Sequence, residues 1–288
     1  MPFYMFAWVA SIVYGLYSIT AKLIGKYTLK NVSQFSFFIM LFSGIVSGTI
    51  SIINGASMPN NWTYIILAAL FLSLGNLLYL STLKNLDVSV LSPLFNLRVV
   101  ITVLIGYFLL GERLTSDSFL LVMLIVVAGV FATMDERFSI KSFFTKKIAL
   151  GLLFMLVLSI QSFFINRAID QAGYWTATLW MVALAALFSF IFLFKNFYKD
   201  VLKSKLSDYS GVLLLSLFGG VGDLAAYKAF QGNVGVSSVI ISLPISMLFA
   251  FMFSIWKPSL LEKHPVKVYV LRFAMAGIMI WGALNLSK

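Results

Sequence analysis

Ten apolar stretches, each long enough to cross a lipid bilayer, occupy nearly the whole chain: residues 3–24, 33–53, 62–82, 89–110, 117–134, 148–168, 175–197, 210–230, 235–256 and 268–286. About 20 apolar residues span the hydrocarbon as a helix, and only structures that satisfy every backbone polar group internally survive there. Hydrophobic residues are 61 % of the sequence and charged residues 11 %, against roughly 45–50 % and about 25 % in soluble domains. A soluble core of 288 residues could not bury that much apolar surface. The expected fold is an all-α integral membrane protein of ten transmembrane helices, with no room for a soluble domain.

The N-terminal stretch lacks a basic n-region and a small-residue cleavage site and is too long for a signal-peptide core, so it is read as a first span. No cysteine is present, which excludes disulfides and thiolate metal sites. The single histidine, His264, sits between Lys263 and Pro265 and is expected as a solvated loop residue. No second histidine is available to complete a metal site, and no cofactor is expected.

The net charge of +11 is distributed by face. Sixteen of the 21 Lys and Arg residues, from Lys22 to Arg272, fall in or beside the odd-numbered loops; four (Arg113, Arg167, Lys228, Lys288) fall on the other side, and the last is Arg98. Positive loops remain cytoplasmic, so the sixteen-residue face is expected inside and both termini outside. The surplus is an orientation signal and an attraction to anionic lipid heads, with no nucleic acid as partner.

A shift of 148 residues places Tyr79 on Tyr227, Asn85 on Asn233, Val88 on Val236 and Ser89 on Ser237. The third and fourth spans then recur as the eighth and ninth. Two halves of five helices must insert in opposite orientations, the inverted-repeat plan of many transporters, whose substrate site lies near the midplane. The expected organisation is a first repeat at 1–135, a basic linker at 136–147 and a second repeat at 148–288. The polar stretch 198–209, with Val201, Leu202 and Leu206 among lysines, is either a short interfacial helix or a solvated loop.

Positions 88–115, VSVLSPLFNLRVVITVLIGYFLLGERLT, combine a small-residue helix start with an LGERLT exit. They resemble the signature of the EamA domain of the drug/metabolite transporter superfamily. Positions 236–262 resemble it more loosely; Glu262 stands two residues late relative to Glu112, and the glycine is replaced. The resemblance implies a ten-helix inverted repeat in which helices 1–4 and 6–9 surround a cavity and helices 5 and 10 pack outside. It implies transport of amino acids, other small metabolites or drugs. The pair Glu112–Arg113 is read as an interfacial family marker.

Two ionisable residues lie well inside spans, where a charge costs roughly 2.5–3.5 kcal/mol at the bilayer centre on insertion scales. Arg98 is about 14 Å and Asp223 about 20 Å from the basic face at 1.5 Å per residue. Arginine can hold a carboxylate or phosphate through a bidentate fork; alternatively it fixes helix packing. Asp223 follows Gly219-Gly220-Val221-Gly222, where a second backbone can approach or the helix can break. It can take a coupled proton, hold a substrate amine, or pair with Arg98 as a gate or a permanent ion pair. Tyr14, Tyr17, Asn76, Tyr79, Asn96, Gln161, Asn166 and Tyr227 are the neutral polar candidates for the pocket, and each could instead bond a neighbouring helix. Pro93 and Pro244 interrupt the fourth and ninth spans and are candidate hinges. Gly44-xxx-Gly48 reads as a packing motif, and Trp62, Trp175, Trp256 and Trp281 as interfacial anchors.

No P-loop, HExxH or Gly-x-Ser-x-Gly motif occurs, so no enzymatic activity is expected. The reading is a secondary-active transporter of small polar metabolites, most simply amino acids or related zwitterions, in the cell membrane. Its expected partners are the substrate, with or without a coupled proton, and the bilayer, as a monomer or homodimer. A transporter of nucleotide-like or drug-like solutes, or a non-transporting scaffold or sensor, is the alternative.

Overall fold

The computed structural model describes residues 2–101, 116–133, 144–232, 234–256 and 264–286. The exit motif with Glu112 and Arg113, Glu262, Asn233 and most of the basic linker lie outside them. The described residues form α1 (Phe3–Tyr27), α2 (Val32–Ile53), α3 (Thr63–Asn85), α4 (Val88–Leu94), α5 (Ser116–Ala132), α6 (Lys146–Ala172), α7 (Tyr174–Val201), α8 (Ser210–Gly232), α9 (Val234–Ile241), α10 (Ile245–Trp256) and α11 (Val266–Leu286). Eight helical segments are long and apolar enough to cross a membrane, counting 236–256 as one; Val88–Ile101 and Phe119–Ala132 are shorter apolar helices. The described residues are thus all-helical, and the protein is a multi-pass membrane protein.

Local chemistry sets the helix ends. The Asn31 side chain accepts from the backbone N–H groups of Ser33 (2.9 Å) and Gln34 (3.3 Å), satisfying donors that α2 leaves open at its N-terminus. Thr145 does the same for Ile148 at the start of α6. Between α6 and α7 the chain turns at Gly173, with φ +79°, a conformation that costs residues with a Cβ.

Both proline-bearing spans are broken. Proline removes an N–H and collides with the carbonyl four residues back. After Pro93 the helix gives way to tight i→i+3 turns, the N–H groups of Asn96 and Arg98 donating to Pro93 and Phe95 (both 3.1 Å); helix then resumes over 97–101. Before Pro244 the helix ends at Ile241 and restarts at Ile245. The stretch 198–209 is no separate helix: α7 runs to Val201 and a single 3₁₀ turn covers Leu206–Tyr209. It leaves Leu202 (83 %) and Leu206 (89 %) exposed.

The helices pack mainly between the two halves of the chain: α2 lies along α7, α1 along α8, α3 along α6 and α5 along α11. Small residues allow the close approaches. A Cβ on Gly44 would stand 3.5 Å from the Val182 carbonyl oxygen, and one on Gly48 3.4 Å from Leu179. The Gly44-xxx-Gly48 pair is thus an intramolecular seat for α7. Trp256 and Trp281 are exposed near helix ends as anchors should be, whereas Trp62 stacks edge-on against Trp180 at 5.0 Å.

Candidate functional site

A cavity of about 160 Å³ lies among α1, α2, α3, α6 and α8 and the two broken helices. Backbone irregularity at membrane depth is tolerated where it is buried in protein or lines a cavity, and both breaks are here. Ser92, Phe95 and Arg98 line it from one side, and Ile241, Leu243 and Ser246 from the other. Ser246 donates to Ser92 (2.8 Å), joining the two broken helices across the hollow.

Eight of the ten substrate-binding candidates face this cavity. Arg98 and Asp223 line it from different helices. Arg98 is only 3 % exposed; its guanidinium donates to the Ser162 hydroxyl on α6 and lies 5.4 Å from the centre of the Phe230 ring. Asp223 accepts from the Tyr14 hydroxyl at 2.6 Å. Asp223 is therefore partnered by Tyr14, not Arg98, and the direct Arg98–Asp223 pair considered from the sequence is not formed.

The glycines before Asp223 make room for α1 and α2, and α8 runs through them without breaking. A Cβ on Gly222 would come within 2.8 Å of the Tyr14 ring, and one on Gly219 within 3.2 Å of Tyr17 and Ser43. Gly222→Ala is accordingly expected to push Tyr14 off Asp223 and to destabilise the protein by about 1–3 kcal/mol, as overpacking does. A thermal unfolding midpoint equal to the parent's in the same detergent would contradict this.

The remaining lining candidates differ in how they are held. Asn76 donates to the Ser36 hydroxyl (2.8 Å) and carbonyl (3.1 Å). Tyr79 donates to Ser18 (2.9 Å), and its ring lies 5.8 Å from that of Tyr17. Gln161 occupies space that a Gly75 side chain would fill, its Oε1 2.7 Å from the position of that Cβ. The Tyr227 hydroxyl is buried with no hydrogen-bond partner among the described residues.

Two candidates do not reach the cavity. Asn96 is fully buried in the break after Pro93, donating weakly to that residue's carbonyl (3.4 Å). Asn166 donates to the Phe230 carbonyl (3.2 Å) and locks α6 to α8. Pro93 and Pro244 shape the breaks without lining the hollow. Sequence reading did not single out Ser92, Ser162 or Ser246, whose hydroxyls are too common in membrane helices to stand out.

It also missed a second polar cluster near the basic face. Lys22 and Arg272, counted as face charges, are 8 % and 2 % exposed. Lys22 donates to the carbonyls of Leu83 (2.7 Å) and Leu86 (2.9 Å) at the end of α3, the usual site for a cation at a helix C-terminus. Arg272 donates to Ser89 (2.5 Å). His264 is not a solvated loop residue: its ring is 14 % exposed and its Nε2 lies 2.9 Å from the Asp87 carboxylate. Burial alone would raise the Asp87 pKa, but the His264 hydrogen bond and the nearby positive charges of His264, Lys22 and Arg272 outweigh it, leaving the carboxyl below its usual range. A carboxylate held low stabilises the fold above its unfolded-state pKa and loses that contribution as pH falls through the folded-state value. Asp87→Asn should therefore cost stability at neutral pH, by about 1 kcal/mol, and nothing once Asp87 itself is protonated. A pH-independent penalty in thermal unfolding would refute this assignment.

Residues 1–134 match the EamA-like transporter family. No curated protein matches the sequence. Among solved structures, one described only as the crystal structure of a protein aligns with TM-score 0.59 at 16 % identity, over 96 % of this chain and 97 % of that one. At that identity the likeness speaks for the fold alone. The family match and the apolar helices agree: residues 1–134 of this chain are similar to the EamA-like transporter family.

Proposed function

We propose that the protein is a secondary-active transporter of a small zwitterion, an amino acid or a related metabolite, working by alternating access around the cavity. The observation that carries the reading is the placement of Arg98 and Asp223 on one cavity wall with separate hydroxyl partners, Ser162 and Tyr14. Each keeps its charge close to the hollow, a positive group for a carboxylate and a negative one for an amine. The cavity is comparable with the roughly 150 Å³ engineered cavity that admits benzene, which suits a solute of amino-acid size. The open hydroxyl of Tyr227 adds a donor.

The same reading takes the chain as ten membrane helices in two inverted five-helix repeats, 1–135 and 148–288. In support, the packing is nearly symmetric under exchange of the halves: α1 on α8 corresponds to α6 on α3, and α2 on α7 and α5 on α11 are self-corresponding. Tyr79 and Tyr227, 148 residues apart, both line the cavity. The breaks at Pro93 and Pro244 are then hinge candidates, one in each half. Lysine and arginine bias orients the termini outside; a cysteine introduced at Asn60 should label from the external side of intact cells, and labelling only after permeabilisation would reverse that assignment.

The aromatic wall, with Phe95, Phe154 and Phe230 among the tyrosines, supports a second reading, a planar drug-like cation held at Asp223. Arg98 in the same hollow weighs against it through like-charge repulsion. Uptake of a labelled amino-acid panel by proteoliposomes tests the proposal. Chemical turnover without flux, or flux of organic cations alone, would displace it.

A further inference from the structure

A second hollow, of about 400 Å³, opens at the lysine-bearing ends of α1 and α3 and the start of α2. It stacks on the central cavity between the same three helices. On α1 Ser18 lines the cavity and Lys22 the outer hollow; on α2 the corresponding pair is Ile39 and Phe35, and on α3 it is Tyr79 and Leu83. Each pair is four residues, or about one helical turn, apart, so the two spaces are separated by roughly 6 Å. At this end of the central cavity the Tyr79 side chain, one turn before Leu83, is hydrogen-bonded to Ser18 and set against Tyr17.

Four lysines line the outer hollow, Lys22, Lys26, Lys30 and Lys84, and no carboxylate does so among the described residues. Lys26, Lys30 and Lys84 are exposed at its rim, while Lys22 is buried in its wall. Beyond the rim, Asp200 and Asp208 line the adjoining hollow with Lys30 and Lys84, Asp200 being engaged by the Asn31 amide at 2.5 Å, and Asp87 lies close enough to Lys22 to feel its charge. A narrow hollow lined by one sign of charge concentrates the opposite sign and speeds its entry.

We infer that this hollow is the vestibule through which a solute bearing a carboxylate or phosphate passes between the lysine-bearing face and the central cavity, with the Tyr79–Ser18 contact as the partition it must cross. The inference rests on reading the central cavity as the solute site. It narrows the substrate to one with an anionic group, complementary to Arg98 inside.

The cysteine-free chain permits a test that needs no knowledge of the solute. Ser43→Cys, or Ser246→Cys should the first fail to fold, places one thiol on the cavity wall. The full-length protein is reconstituted in neutral phosphatidylcholine nanodiscs, which expose both faces. It is then treated with methanethiosulfonates of similar size, one carrying a sulfonate and one a trimethylammonium group. Rates are normalised to those with free cysteine. The anionic reagent should react about tenfold faster, K26Q/K30Q/K84Q should bring the ratio close to one, and K195Q/K199Q on the same face should leave it unchanged. Tyr79→Phe should quicken both reagents by removing the bond that closes the partition. A ratio indifferent to the three rim lysines, or lowered equally by K195Q/K199Q, would overturn the vestibule, as would absence of any cavity labelling. Thiol modification proceeds whether or not a solute is moved, so failure here and failure of the transport reading are separate results.

Discussion

Arg98→Ala should abolish solute uptake in proteoliposomes while the purified protein remains folded and monodisperse. The guanidinium is buried on the cavity wall between the Ser162 hydroxyl and the Phe230 ring. If it also binds a solute carboxylate, truncation leaves that carboxylate without its charged partner. Removing one member of a buried, hydrogen-bonded charge pair costs roughly 2–5 kcal/mol, which is on the order of 30- to 4,000-fold in affinity. Arg98→Lys separates binding from packing: it keeps the charge but not the planar two-point fork, so partial uptake is expected with near-parent stability. If instead Arg98 only fixes α6 and α8 against the broken helix, both variants should lose thermal stability and the surviving folded fraction should transport normally. That result would remove Arg98 from the site.

The second large effect concerns pH. Among the described residues Asp223 is the one carboxylate on the cavity wall, and its described hydrogen bond comes from the Tyr14 hydroxyl. Protonation would cancel its charge, weaken its hold on an amine and alter the Tyr14 contact in a single step. Asp223→Asn keeps nearly the same shape while fixing the group as neutral. Initial uptake rates measured across acidic to neutral pH should therefore lose the dependence that the parent shows. A variant retaining both the rate and the parent pH profile would exclude Asp223 from proton coupling and from amine binding together. Tyr14→Phe offers a graded companion: the carboxylate stays, its donor goes, and the profile should shift without flattening.

The helical spans were legible because the bilayer imposes a simple rule on sequence. Every residue in a span must be mostly apolar over about 20 positions, and composition alone reveals that. Position along a span was legible too, since rise per residue is constant: Arg98 and Asp223 fall well inside apolar stretches of the sequence. The breaks at Pro93 and Pro244 followed from the chemistry of the imide. Spans that are apolar on all sides, however, carry no periodic signal of which face is buried. Nothing in the pattern distinguished Asn76, which lines the cavity, from Asn96 and Asn166, whose side-chain amides donate to backbone carbonyls beside it.

Charges near span ends were misplaced for a related reason. Lys22, Arg272 and His264 stand where a sequence reader expects headgroups and water, yet they cap the end of α3, bond Ser89 and bond Asp87. Those partners come from segments 61 to 183 residues away in the chain, a proximity that no local pattern records. The sequence by itself determined that this chain lives in lipid, how many long apolar stretches it has, and that two opposite charges lie deep within them. Only the tertiary structure decided that Arg98 and Asp223 share one cavity but keep separate partners. The azimuth of each helix is set by packing between the two halves, by the glycines that admit Tyr14 and Tyr17 and by the serines that join the broken helices, and not by the solvent that surrounds them.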